Sequence, residues 1–143
     1  MAQRRVTLLA SAARTADGQG ALFDTGGADE FHAALLLLDV TAVVGTLPTL
    51  DVYVQIEFPD GSFGDIAAFS QVNVTSKRVA VIPFPTPGGF AEGLMTAQNL
   101  APGSVRSLPL GPHYRVAWKI GGVSPSFTFA VLADLYGSHL PGE

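Results

Sequence analysis

Three histidines are the first place to look for chemistry: His32, His113 and His139. They are far apart in the chain, and none has a second ligand at helical or hairpin spacing. Surface or edge histidines therefore fit better than a metal site. The segment Asp60-Gly61-Ser62-Phe63-Gly64-Asp65 sets acids in a Gly-rich turn, as calcium loops do. It lacks the ligand density of an EF-hand loop, and a plain turn fits it better. Serines are present, but there is no Gly-x-Ser-x-Gly elbow beside a base, and no Gly-x-x-x-x-Gly-Lys phosphate loop. Cysteine is absent, which removes thiol catalysis, thiolate metal sites and a disulfide framework. Asn73-Val74-Thr75 satisfies the glycosylation pattern, which carries meaning only in a secreted chain. Tyr53, Phe69 and Trp118 have faces that stack on sugars, but at strand spacing such rings more often form a core or a subunit contact. The expectation is a protein that is not an enzyme, with no catalytic residue, metal or cofactor.

Composition points towards assembly. Charged residues make up 14% of the chain and hydrophobic ones 48%, against about 25% charged in an average soluble domain. Two explanations stand: a β protein whose surface is mostly Thr, Ser, Gln and Gly, or an exterior covered by other copies or by a larger lattice. The formal net charge of −4 provides no basic face, so no nucleic-acid partner is expected. The N-terminus, MAQRRVTLLASAAR, lacks a long apolar core and is interrupted by Arg14, so no secretory signal is read there. The longest uncharged stretch, Ile120 to Ala133, is short of the roughly 18 residues a membrane helix needs, and no membrane partner is expected. A soluble protein made in a cytoplasm is the resulting expectation.

A chain of 143 residues is most simply one domain, residues 1–143, large enough to bury a core unaided. Its patterning predicts strands. Tyr114, Val116, Trp118 and Ile120 alternate with polar or small residues, and Phe127, Phe129, Val131 and Ala133 do the same after Gly121-Gly122 and Ser124-Pro125. Two amphipathic strands around a Gly-rich connection read as a closing hairpin. Leu50, Val52, Val54 and Ile56 alternate as cleanly and end at the turn Pro59-Asp60-Gly61-Ser62. Leu50, Val52, Val54, Ile56, Tyr114, Val116, Trp118, Phe127 and Phe129 are the predicted core. Further strands are expected at 4–11, 21–24, 64–74 and 77–84. The run Phe31 to Val44 reads as a strand buried on both faces, ended by Gly45 and Pro48. The fold class is thus all-β, an antiparallel sandwich or jelly-roll-like domain.

Two further features stand out. Residues 45–54, GTLPTLDVYV, and residues 122–131, GVSPSFTFAV, share the pattern Gly-x-x-Pro-hydroxyl-apolar-x-apolar-x-Val. Apart from the chance that β-turns generally favour Gly and Pro, the echo fits two equivalent hairpins, one per half of a pseudo-symmetric sandwich. Residues 83–112 hold six of the ten prolines. This Pro-rich segment is too long for a hairpin loop and has room for one short helix over Ala91–Leu100. Its apolar residues Phe84, Phe90, Leu94, Met95 and Leu100 are the candidate contact residues, with Arg4 and Arg5 of an N-terminal arm, residues 1–5, as the next.

The blocks ASAARTADGQGALFDTGGADEF, LLLDVTAVVGTLPTLDVYVQIE, PDGSFGDIAAFSQV and HYRVAWKIGGVSPSFTFAVLADL, in that order, resemble a family of small structural proteins of tailed bacteriophages. The likeness spans most of residues 10–75 and 113–135. It departs at Pro59, where the family turn usually has Ser, and in the Pro-rich insertion. The resemblance implies a virion component without catalytic residues. On that basis the chain is expected to decorate or cement the capsid. Its partners would be other copies of itself, a trimer suiting three-fold positions, and the major capsid protein. A tail or head–tail connector subunit and a carbohydrate- or receptor-binding β-domain are the two rival expectations.

Overall fold

The computed structural model describes residues 3–25, 31–83, 98, 100–106 and 112–137. Eight strands run in the order β1 (Gln3–Arg14), β2 (Gly18–Gln19), β3 (Phe23–Asp24), β4 (Phe31–Glu57), β5 (Phe63–Ala68), β6 (Ser76–Ile82), β7 (Ser104–Val105) and β8 (His113–Gly137). All belong to one antiparallel sheet ordered β1-β8-β4-β5-β7, with β2 and β3 also on β8 and β6 also on β4. No helix occurs among the described residues. The all-β class is therefore as the alternation predicts.

The predicted closing hairpin is not there. β8 passes through Gly121-Gly122 and Ser124-Pro125 without reversing, and β4 passes through Gly45 and Pro48 in the same way. The two long strands pair with each other along their lengths, from Phe31↔Gly137 through Thr46↔Val123 to Ile56↔Tyr114. The two echoing motifs thus meet face to face. Val44↔Ser126 and Thr49↔Gly121 flank the Thr46↔Val123 pair, which places a local two-fold axis through that pair. The backbone repeats the relation: Gly45 and Gly122 have φ of 123° and 109°, and Leu47 and Ser124 both have φ of 49°. Gly followed by Pro three residues later does not turn the chain here. It bends two paired strands at the same level.

That bend divides the sheet. On one side lie β1, β6, residues 31–44 of β4 and 126–137 of β8; on the other lie β2, β3, β5, β7, residues 49–57 of β4 and 113–121 of β8. A single buried cluster joins Leu36, Leu38, Phe127, Phe129 and Val131 from the first half to Val52, Val54, Ile66, Tyr114 and Trp118 from the second. The inner faces of the halves therefore oppose each other, giving a sandwich-like pair of layers made from one folded sheet. Trp118 and Phe129, on opposite sides of the bend in the same strand, meet edge to face with ring centroids 5.8 Å apart. Every predicted core residue is buried.

Other boundaries shift for local reasons. The run 31–44 is not buried on both faces. Leu36, Leu38 and Val40 point into the core, and Leu35 and Leu37 are only half-buried on the outside. The expected strand 64–74 stops at Ala68, after which the Phe69 amide donates to the Val52 carbonyl and Val72 bridges back to Leu50. The N-terminal arm is not free at residues 3–5, which open β1 opposite Asp134–Tyr136. The turn at Pro59–Ser62 is where the sequence places it, with Gly61 at φ 84° and the Asp60 carboxylate accepting from the Ser62 amide and hydroxyl.

The bend sets a direct test. A Cβ on Gly45 would lie 2.9 Å from the Pro125 Cα, and one on Gly122 would lie 2.8 Å from the Leu47 carbonyl oxygen. Gly45→Ala or Gly122→Ala is expected to lose about 2–4 kcal/mol, from the clash and the positive φ together. Leu47, whose side chain is 86% exposed, holds its positive φ at a steric cost of roughly 1–2 kcal/mol. Leu47→Asn is therefore expected to be neutral or stabilising. Urea unfolding of the three variants checks both signs.

Candidate functional surfaces

His113 opens β8 next to the end of β3 and the end of β4, so strand pairing brings Asp24 and Glu57 to it. Its Nδ1 lies 2.7 Å from Glu57 Oε1 and its Nε2 lies 3.3 Å from Asp24 Oδ2. The hydrogen bond to Glu57, helped by the charge of Asp24, raises its pKa above the ordinary value despite some desolvation. Both nitrogens face carboxylates, an arrangement that suits the imidazolium, which donates from both. This clamp closes the β3–β8–β4 edge. No group of three or more His, Asp or Glu suited to a metal ion occurs among the described residues. His32 is half-buried in β4, and His139 lies outside the described residues.

Asp65, one of the acids of the Gly-rich turn segment, is fully buried in β5. Its carboxylate accepts from the Gln55 side chain at 2.9 Å, from the Gln98 amide at 2.9 Å and from the Leu100 amide at 3.1 Å. Gln55 in turn accepts from Arg115 Nε at 2.7 Å, and the Arg115 guanidinium stacks 3.9 Å from the Phe63 ring. Arg106 donates to the Asp65 carbonyl oxygen. A buried carboxylate needs such donors. The described end of the Pro-rich segment supplies two of them, and so lies over Asp65 on the outer face of the second half-sheet. Sequence reasoning missed this role, since nothing near Asp65 in the chain names partners 33 and 35 residues further on.

The expected contact residues separate. Leu100 is half-buried and tied to Asp65 through its amide; Phe84, Phe90, Leu94 and Met95 lie outside the described residues. Arg4 donates to the Thr25 carbonyl at 2.8 Å and sits over Phe23, and Arg5 pairs with Asp134 at 2.8 Å. Both arginines thus hold β1 to its own domain. Tyr53, Phe69 and Trp118 are buried, and the Trp118 indole N–H donates to the Ala16 carbonyl at 2.9 Å. These three rings form no exposed stacking platform.

Part of the open surface is apolar. On the outer face of the first half-sheet, Val81 and Val79 of β6 stand opposite Leu35 and Leu37 of β4, and Leu37 stands opposite Leu132 of β8. Val79 is 66% exposed and Val81 59%, and a groove of about 280 Å³ runs between Leu35, Leu37, Val79 and Leu132. The charges at the rim are matched within the chain, Arg5 with Asp134 and Lys77 with Asp39. A second apolar patch, Val44, Leu47 and Val123, stands at the bend. Comparisons with protein-family models, with curated proteins and with solved structures return no match to this chain.

The clamp at His113 has a defined pH dependence. Because its folded pKa is raised above roughly 6.5, the stabilisation is fully present below about pH 6.5 and is lost as pH rises through the higher folded value. An NMR titration of the ring protons is expected to place the midpoint above that of a free histidine, and Glu57→Gln is expected to bring it down.

Proposed function

We propose that this chain is a structural subunit of a tailed-bacteriophage virion, made in the host cytoplasm, that decorates or cements the capsid as a homo-oligomer. Its partners are other copies of itself and the major capsid protein. The observation that carries the reading is the contrast between the two outer faces. The second half-sheet is covered at Asp65, whereas the first presents Leu35, Leu37, Val79, Val81 and Leu132 beside the ion pairs Arg5–Asp134 and Lys77–Asp39. A contiguous apolar patch on a folded protein marks a contact surface, and each exposed valine buried there contributes roughly 1.5–3 kcal/mol before ordering entropy. The low charge of the chain and the order of its sequence blocks support the same reading.

The test uses the double variant Val79→Asp/Val81→Asp, whose side chains lie outside the core. It is expected to keep the wild-type circular dichroism spectrum. Wild-type protein is expected to associate in light scattering and to co-sediment with undecorated capsids, and the variant to lose at least tenfold in affinity. Undiminished capsid binding by the variant contradicts this contact face. Wild-type protein that stays monomeric and binds no capsid contradicts the decoration role.

A further inference from the structure

Of the eight Lys and Arg side chains, seven have a partner. Arg4, Arg14 and Arg106 donate to carbonyl oxygens, Arg5 and Lys77 pair with carboxylates, Arg115 donates to Gln55, and Lys119 sits over the Tyr53 ring. Arg78 is the exception among the described residues. Its Nε is buried without a hydrogen-bond partner. The side chain lines a cleft of about 500 Å³ along the edge of β6 that β4 does not pair, opposite Phe69, Ser70, Gly103 and Val105. Among the described residues, no other charged side chain lines the cleft. A charged side chain that lines open volume and has a donor without a partner is suited to recognising an acceptor.

We propose that this cleft is a carboxylate-binding site keyed by Arg78. A guanidinium offers a planar pair of donors that match the two oxygens of a carboxylate, and Ser70 places a hydroxyl on the same wall. One uncompensated positive charge balances a monoanion and not a dianionic phosphate. Phe69 and Val105 give the cleft apolar surface on the side opposite β6, which suits a carboxylate carried on an apolar or methylene stem. Two sources present that chemistry: an acidic side chain of a neighbouring subunit, and a free small carboxylate. The first source rests on the structural-subunit reading above; the cleft itself does not.

The experiment has two arms. In the first, protein labelled with 15N is titrated with benzoate, acetate and phosphate while the Arg78 Nε–H resonance is followed. Benzoate is expected to give the largest saturable shift and acetate a weaker one, both at least tenfold weaker in Arg78→Gln and intermediate in Arg78→Lys, which keeps the charge but loses the planar fork. No saturable shift with either carboxylate, or a stronger response to phosphate, overturns the site. If Arg78→Gln fails to fold, the wild-type and Arg78→Lys titrations decide alone. In the second arm, self-association of wild type is measured by sedimentation with and without saturating benzoate. Weakened association on adding benzoate assigns the site to a neighbour's acidic side chain. Unchanged association with intact benzoate binding assigns it to a free carboxylate.

Discussion

Gly45 and Gly122 sit where two 25- to 27-residue strands bend together, and each lies against the backbone of the other's motif with no room for a Cβ. That reciprocal contact governs the architecture. A flat antiparallel ribbon of β4 and β8 exposes both of its faces; bending it at one level turns the two inner faces towards each other. Val52, Val54 and Trp118 can then share a core with Leu36, Leu38 and Phe129. The outer strands come next, since β1 and β6 have only the first half to pair with and β5 and β7 only the second. The strain held at Leu47 and Ser124 is the local consequence, kept in place by the pairing on either side.

Charge is used sparingly and mostly on partners within the chain. Arg14 lies over both Trp118 and Phe129 with its donors on the Ala10, Ala12 and Phe129 carbonyls, so it caps the aromatic pair at the open end of β1. Asp65 anchors the returning end of the Pro-rich segment, and His113 ties three strands at their ends. A chain with 20 charged residues that ties so many of them to its own groups has few unpaired charges at its surface. This links the low charge read from composition to the uncovered valines of β6.

The strands themselves were legible, because period-two alternation reports a buried face wherever it occurs. Leu50 to Ile56 and Tyr114 to Phe129 are core as patterned. The connection between them was not legible. Gly121-Gly122-x-Ser-Pro has the composition of a hairpin turn, and the same positive φ that closes a turn also kinks a continuous strand. The signal that separates the two cases was present as the echo between residues 45–54 and 122–131. Two copies of one motif in strands of opposite direction satisfy a two-fold pairing, but only the register shows that they do. Asp65 was unreadable for a different reason: a buried acid is recognised by its donors, and those arrive from the far end of a long loop. Arg78 reads in the sequence as an ordinary strand cation, and only the pairing of every other cation sets it apart.

The central claim is that the two Gly-x-x-Pro motifs face each other across paired strands. Since the chain has no cysteine, the double variant Thr46→Cys/Val123→Cys reports on it directly. Antiparallel partners hold their Cα atoms about 4.5–5.5 Å apart, within the span of a disulfide, and both positions are exposed to an oxidant. Treatment with oxidised dithiothreitol is predicted to give a monomer that migrates faster on a non-reducing gel, has lost two hydrogens by mass, and reverts on reduction. Free thiols, or cross-links found only between molecules, would contradict the paired bend and place the two motifs in separate turns.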